Sequence, residues 1–294
     1  MKARMILLLV GGVLLTVALL VVLLLIPVRA SGEAALQQTQ VESNAEEAEQ
    51  EETPVIETTR APMPTEPTVS TVTFPTTDQL TITADLYWTG DADAPFILLF
   101  HQADYSRGEY QEIAPKLNAL GYNCLAIDQR SGGVANGVIN ETYQAAKAAN
   151  LQTGYINAYP DLEAALDYVT ATYVPNQLIV WGSSYSASLA LILASENPDK
   201  ISAVLAFSPG EYFVLNGKQV AEYAADITQP ALITSAKSEE KSWRGIADQI
   251  PSAGCVFFVP EGNGRHGSSA LFEKTSNNAE YWTAVEGFLS SLNP

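Results

Sequence analysis

Two histidines and two cysteines are all that 294 residues provide. Such a supply leaves no cysteine–histidine cluster with the spacing of a structural zinc site, and no metal is expected. It also reduces the search for a general base to His101 and His266. Cys124 and Cys255 fall in separate apolar runs, 123–127 and 255–259, and are expected as two unpaired thiols. Basic residues are scarce too. Fifteen Lys and Arg face 33 Asp and Glu, a net charge of −18, which argues against nucleic acid as a partner. No internal repeat is apparent.

Long hydrophobic runs are missing except for one. Ile6 to Val28 holds Thr16 as its only ordinary polar residue, and a bilayer-spanning helix needs roughly 20 apolar residues. Residues 1–30 are therefore expected to be a signal-anchor segment that meets the membrane through residues 6–28. Lys2 and Arg4 favour a cytoplasmic amino end and an exported remainder. Val28-Arg29-Ala30 also offers a small-x-small cleavage site, so a cleaved, secreted form is the alternative. Residues 31–70 hold nine Glu, one Arg, much Thr and Pro, and no aromatic residue. A segment of that composition buries too little apolar surface to offset its ordering entropy, and it reads as a disordered acidic stalk. Residues 71–294 are left as the folded domain.

Within that domain the pattern alternates. Residues 72–74 and 80–87 read as an antiparallel hairpin. Apolar runs at 95–100, 123–127, 178–181, 201–207, 231–234 and 255–259 read as buried strands. Helical periodicity appears at 108–120, 161–173, 242–250 and 279–292, and none is crisp between 134 and 150. Strands alternating with helices predict an α/β domain, a mainly parallel sheet of about eight strands with helices on both faces.

The run 177–190 reads Gln-Leu-Ile-Val-Trp-Gly-Ser-Ser-Tyr-Ser-Ala-Ser-Leu-Ala. It passes from strand to helix through Gly182-Ser183-Ser184-Tyr185-Ser186. That is the setting of a nucleophile elbow, although Ser186 stands where the pattern expects glycine. With the hairpin, His101-Gln102 after the first parallel strand and His266 after the last strand, the folded part resembles an α/β-hydrolase of the compact, dienelactone-hydrolase-like type. The resemblance implies the chain order nucleophile, acid, histidine. Ser184 is then the nucleophile and His266 its base, with His101 bracing a loop. The acid is expected after the strand 231–234, where the usual Asp is absent; Glu239 is chosen, with Glu240 the alternative. The resemblance also implies oxyanion donors at the backbone amides of Tyr185 and Gln102, and no cofactor. Tyr105, Tyr159 and Tyr212 are candidate substrate contacts near the same sheet edge. Asp128-Gln129-Arg130 reads as an ion pair steadying a loop. The expected activity is that of a serine hydrolase cleaving an ester or related acyl bond of a small molecule through a Ser-His-Glu triad. A peptidase or acyltransferase on the same fold, and a non-catalytic tethered binding domain, remain open.

Overall fold

The computed structural model describes residues 63–292. The expected anchor at 6–28 and the stalk up to residue 62 lie outside the described residues. The hairpin is longer than its alternation suggests. Strand β1, Thr68–Pro75, pairs antiparallel with β2, Thr81–Trp88, with Phe74 opposite Ile82. The fold therefore begins before residue 71. Trp88 Nε1 donates to the Pro64 carbonyl (2.7 Å), and Met63 packs against the core.

Strand β3, Phe96–Phe100, is wholly buried. Arg107–Tyr110 then forms a 3-10 turn, and helix α1, Ala114–Ala119, starts only at Ala114, with Pro115 in its first turn. Proline lacks the N–H that an interior helical position would use, so it sits in a first turn and splits the predicted helix 108–120. Strand β4 is Asn123–Ile127. A two-residue hairpin follows, β5 (Val134–Ala135) with β6 (Val138–Ile139), and then α2, Glu141–Ala148. The α2 helix was not evident in the periodicity. Its start is fixed by Asn140, whose side chain accepts from the Tyr143 N–H.

The chain continues through α3 (Tyr159–Thr172), β7 (Leu178–Ser183), α4 (Tyr185–Glu196), β8 (Ala203–Phe207), the short α5 (Val220–Ala224) and β9 (Ala231–Thr234). It ends with α6 (Glu240–Ala247), β10 (Val256–Phe258) and α7 (Asn278–Ser291). Among the described residues, eight strands form one sheet in the order β1-β2-β4-β3-β7-β8-β9-β10. All pairs from β4 to β10 are parallel, and β1 and β2 are antiparallel. This is the α/β-hydrolase architecture.

Successive residues of the central strands serve opposite faces, as strand geometry requires. Leu98, Phe100 and Val180 pack with α3 and α4, whereas Ile97, Leu99 and Trp181 pack with α1 and α7. Cys124, in β4, and Cys255, just before β10, are free thiols. Strand order reverses beside β3, and ligands of open parallel sheets bind outside the carboxyl ends of the strands at such a point. The loops after β3, β7, β9 and β10 all emerge at that edge.

Candidate active site

Strand β7 turns into helix α4 at Ser184, whose backbone lies at φ 61, ψ −125. Non-glycine residues avoid positive φ, so this strain is held by its surroundings. The Ser184 N–H donates to Phe207 O (2.7 Å) and its carbonyl accepts from Ala187 N (2.9 Å). Gly182 is required for the close approach: a Cβ there would lie 2.2 Å from the Ser186 carbonyl and 2.5 Å from Ala187 Cα. Ser186 is tolerated because its hydroxyl has partners. It donates to His101 O and accepts from Gln129 Nε2, both at 2.5 Å. The side chain in place of glycine thus ties the turn to the loop after β3.

Ser184 Oγ lies 2.8 Å from His266 Nε2, and His266 Nδ1 lies 2.7 Å from Glu239 Oε1. The other carboxylate oxygen, Oε2, accepts from Ser208 Oγ (2.7 Å) and from the Ala236 N–H (3.3 Å). Burial alone would raise the Glu239 pKa. The hydrogen bonds from His266 and Ser208, with the charge of His266, outweigh it and hold the carboxyl below its ordinary value. Glu240 points elsewhere, into an ion pair with Arg244 one helical turn on. Ser208 was not anticipated. Its hydroxyl donates to Glu239 while accepting from the Gly267 N–H (2.9 Å), so it couples the Glu239 carboxylate to the loop that carries His266.

The loop after β3 differs from expectation. The Gln102 N–H donates to Glu109 Oε2 at 2.8 Å, so it is turned away from a developing oxyanion. The next amide, Ala103 N–H, makes no hydrogen bond among the described residues, and neither does the Tyr185 N–H. His101 is fully buried and neutral. Burial lowers its pKa to about 4, its Nε2 accepts from the Gln129 N–H (3.0 Å), and Nδ1 donates to Gln102 O (2.8 Å).

The three tyrosines part company. Tyr212 stands beside Ser184: its hydroxyl donates to Ser208 O (3.0 Å) and has Ser184 as a neighbour. Tyr155, 42% exposed, stacks on Tyr185 (4.6 Å) and meets Tyr212 edge-on (6.4 Å), forming an aromatic wall. Tyr159 belongs to the core instead, with its hydroxyl bonded to Glu196 at the end of α4. Tyr105 is half-buried, and the bonds it makes are through its backbone, its carbonyl accepting from Gly133 N (2.7 Å). Asp128 and Arg130 do not pair with each other. Asp128 binds Arg107 (2.5 Å), and Arg130 binds Asp161 and Asp78 (both 2.7 Å). Among the described residues no group of three His, Cys, Asp or Glu is placed to hold a metal ion.

Residues 92–242, just over half of the chain, match the family described as serine aminopeptidase, S33. The chain belongs to this family. The fold of this S33-family chain is shared with many solved structures, three of which serve for comparison. They are dienelactone hydrolase from Anabaena variabilis (TM-score 0.61, 15% identity, 77% of this chain and 98% of that one), the esterase Pf2001 from Pyrococcus furiosus (0.59, 16%, 76% and 92%) and Est1E from Butyrivibrio proteoclasticus with ferulic acid bound (0.58, 14%, 73% and 96%). At such identity the likeness establishes the α/β-hydrolase fold. No curated protein matches the S33-family chain.

Proposed function

We propose that this α/β-hydrolase is a serine hydrolase that cleaves a carboxylic ester through Ser184, His266 and Glu239. The observation that carries the reading is the unbroken hydrogen-bonded series Ser184 Oγ–His266 Nε2, His266 Nδ1–Glu239 Oε1. A serine hydroxyl is a weak nucleophile until a base takes its proton. His266 Nε2 takes that proton as Oγ bonds to the acyl carbon. Glu239 holds the proton on Nδ1 and stabilises the imidazolium. The carbonyl oxygen gains the negative charge, and the amides of Tyr185 and Ala103 are its donors; Ala103 replaces Gln102 in this role. Collapse of the intermediate expels the alcohol, which leaves with the proton from His266. Water then repeats the sequence on the acyl-enzyme, releasing the acid and restoring the Ser184 hydroxyl.

The shared fold of the dienelactone hydrolase and the two esterases supports an ester substrate. Tyr155 and Tyr212 offer it an apolar wall. The family description supports a second reading, a peptidase on the same site. Both are tested together by labelling the full-length protein with a fluorophosphonate and comparing p-nitrophenyl esters with aminoacyl anilides. The expected result is one label, absent in Ser184→Ala, and faster turnover of esters. Faster turnover of anilides would select the peptidase, and no labelling would return the non-catalytic domain. The apolar run 6–28 supports an exported enzyme tethered to the cytoplasmic membrane. The full-length protein is expected in the carbonate-resistant membrane fraction, with its folded domain open to external protease.

A further inference from the structure

One ionisable group behind the site takes no part in the chemistry above. Glu109 lies in the turn Arg107–Tyr110 and is fully buried. Its Oε2 accepts from the Gln102 N–H (2.8 Å); its Oε1 accepts from Gln102 Nε2 (3.1 Å) and from Ser183 Oγ (2.9 Å). Ser183 immediately precedes the nucleophile. Its hydroxyl oxygen in turn accepts from the Ser268 N–H (2.8 Å), two residues beyond His266. The loop after β3, the nucleophile turn and the histidine loop therefore close on a single carboxyl. Gly267 shows how tightly. It has φ +66, and a Cβ there would stand 2.5 Å from Ser183 Oγ.

The donors define the form of the carboxyl that fits. A backbone N–H, an amide NH₂ and a hydroxyl all donate to it, and only an ionised carboxylate is purely an acceptor. We propose that Glu109, as a carboxylate, is a positioning residue that sets the register of the Gln102–Ala103 loop, the Ser184 turn and the His266 loop, and that its charge supports the imidazolium formed during acyl transfer. This rests on the roles given to Ser184 and His266 above. Glu109 has the means to act near neutrality. Burial raises its pKa to about 7, against the hydrogen bonds from Gln102 and Ser183 and the charge of His266. The other titratable groups on the segments packed around it are His101, kept neutral by burial, Tyr110 and Tyr185, whose pKa values burial raises well above the ordinary value, Arg107, kept charged by Asp128 and Asp85, and His266.

The test compares the full-length protein with Glu109→Gln and Ser183→Ala on one p-nitrophenyl ester across pH 5–9, with amide hydrogen exchange followed at Gln102 and Ser268. Glu109→Gln is expected to lower kcat by about 10- to 100-fold, leave KM within about threefold, and shift the acid limb of the pH–rate profile. Ser183→Ala is expected to lower kcat about tenfold while keeping that limb. Exchange at both amides should quicken in each variant. A folded Glu109→Gln with the parent kcat and pH profile would overturn the proposal. If that variant does not fold, a Ser183→Ala with the parent kcat overturns it instead. Faster exchange with unchanged kcat would mean a brace without a catalytic role, and also overturns it. If the parent protein neither hydrolyses the ester nor takes a phosphonate label, the serine-hydrolase reading has failed and the positioning role fails with it; the exchange data then report the brace alone.

Discussion

Two loops at the same sheet edge each present a glutamate, and each glutamate accepts three hydrogen bonds. Glu239, after β9, takes them from His266, Ser208 and Ala236; Glu109, after β3, takes them from Gln102 twice and from Ser183. Their acidities nevertheless move in opposite directions. Glu239 is held below the ordinary value and Glu109 is pushed up to about 7. The number of donors is therefore not what separates them. The Glu239 side chain keeps 28% of its surface in water and touches a group that can carry positive charge. Glu109 is shut off from the surface and has only neutral donors in contact, so desolvation prevails. One carboxylate suits the imidazolium that the proposed mechanism forms on His266. The other suits a scaffold in which charge is carried at a cost.

The largest effect expected on this pair comes from removing what both serve. Ser184→Ala should reduce ester turnover by about 10⁴-fold or more and abolish phosphonate labelling, leaving only binding and oxyanion stabilisation. Glu239→Gln keeps the volume and removes the charge. It should lower kcat by at least ~10²-fold with KM little changed, as expected for a lost orienting carboxylate. Glu240→Gln should leave kcat as it is, because Glu240 spends its charge on Arg244. A damaging Glu240→Gln beside a silent Glu239→Gln would reverse the assignment. Gly267→Ala strikes between the two glutamates. A Cβ against Ser183 Oγ should push the histidine loop off both anchors, costing roughly 1–3 kcal/mol of stability, with a matching fall in Tm by differential scanning calorimetry.

The smallest effect is the sharpest contrast. The folded pKa of Glu109 lies above its ordinary 4.5, so its stabilising contribution is present below about 4.5 and is lost as pH rises towards 7. Glu239 has the opposite sign: its contribution is present above 4.5 and is lost as pH falls. Plots of Tm against pH for the parent and the two Gln variants should therefore diverge in opposite directions, by about a few degrees each. Parallel curves would contradict the contrast between the two glutamates.

Much of this was legible in the chain. Strands such as Phe96–Phe100 and Ala203–Phe207 are unbroken apolar runs because both faces are covered, and a run of that kind has few other uses. With two histidines and a strand–glycine–serine–helix transition, Ser184 and His266 were easy to nominate. The start of the domain was not. Residues 63–70 have linker composition, and β1 is held there through its backbone while Val69 remains 66% exposed, so no apolar alternation marks it. Tyr159 looked like a pocket residue; a tyrosine can be buried when its hydroxyl finds a partner, and Glu196 lies 37 positions away. The direction of the Gln102 N–H depends on local torsions that residue identity does not fix. Glu109 is the extreme case. A charged residue among apolar neighbours reads as exposed, because burying it is costly. What makes its burial possible is donors from positions 102 and 183, brought together only by the sheet.

The indole of Trp181 donates to Ser268 Oγ at 2.9 Å from within β7, stacked on Phe207 at 4.8 Å. Its ring is thus a built-in optical probe of the segment just beyond His266. Detachment of that segment, on ligand entry or product departure, would free the indole N–H and change its emission. Stopped-flow fluorescence could follow the motion without an added dye, and Ser268→Ala would supply the spectrum of the detached state.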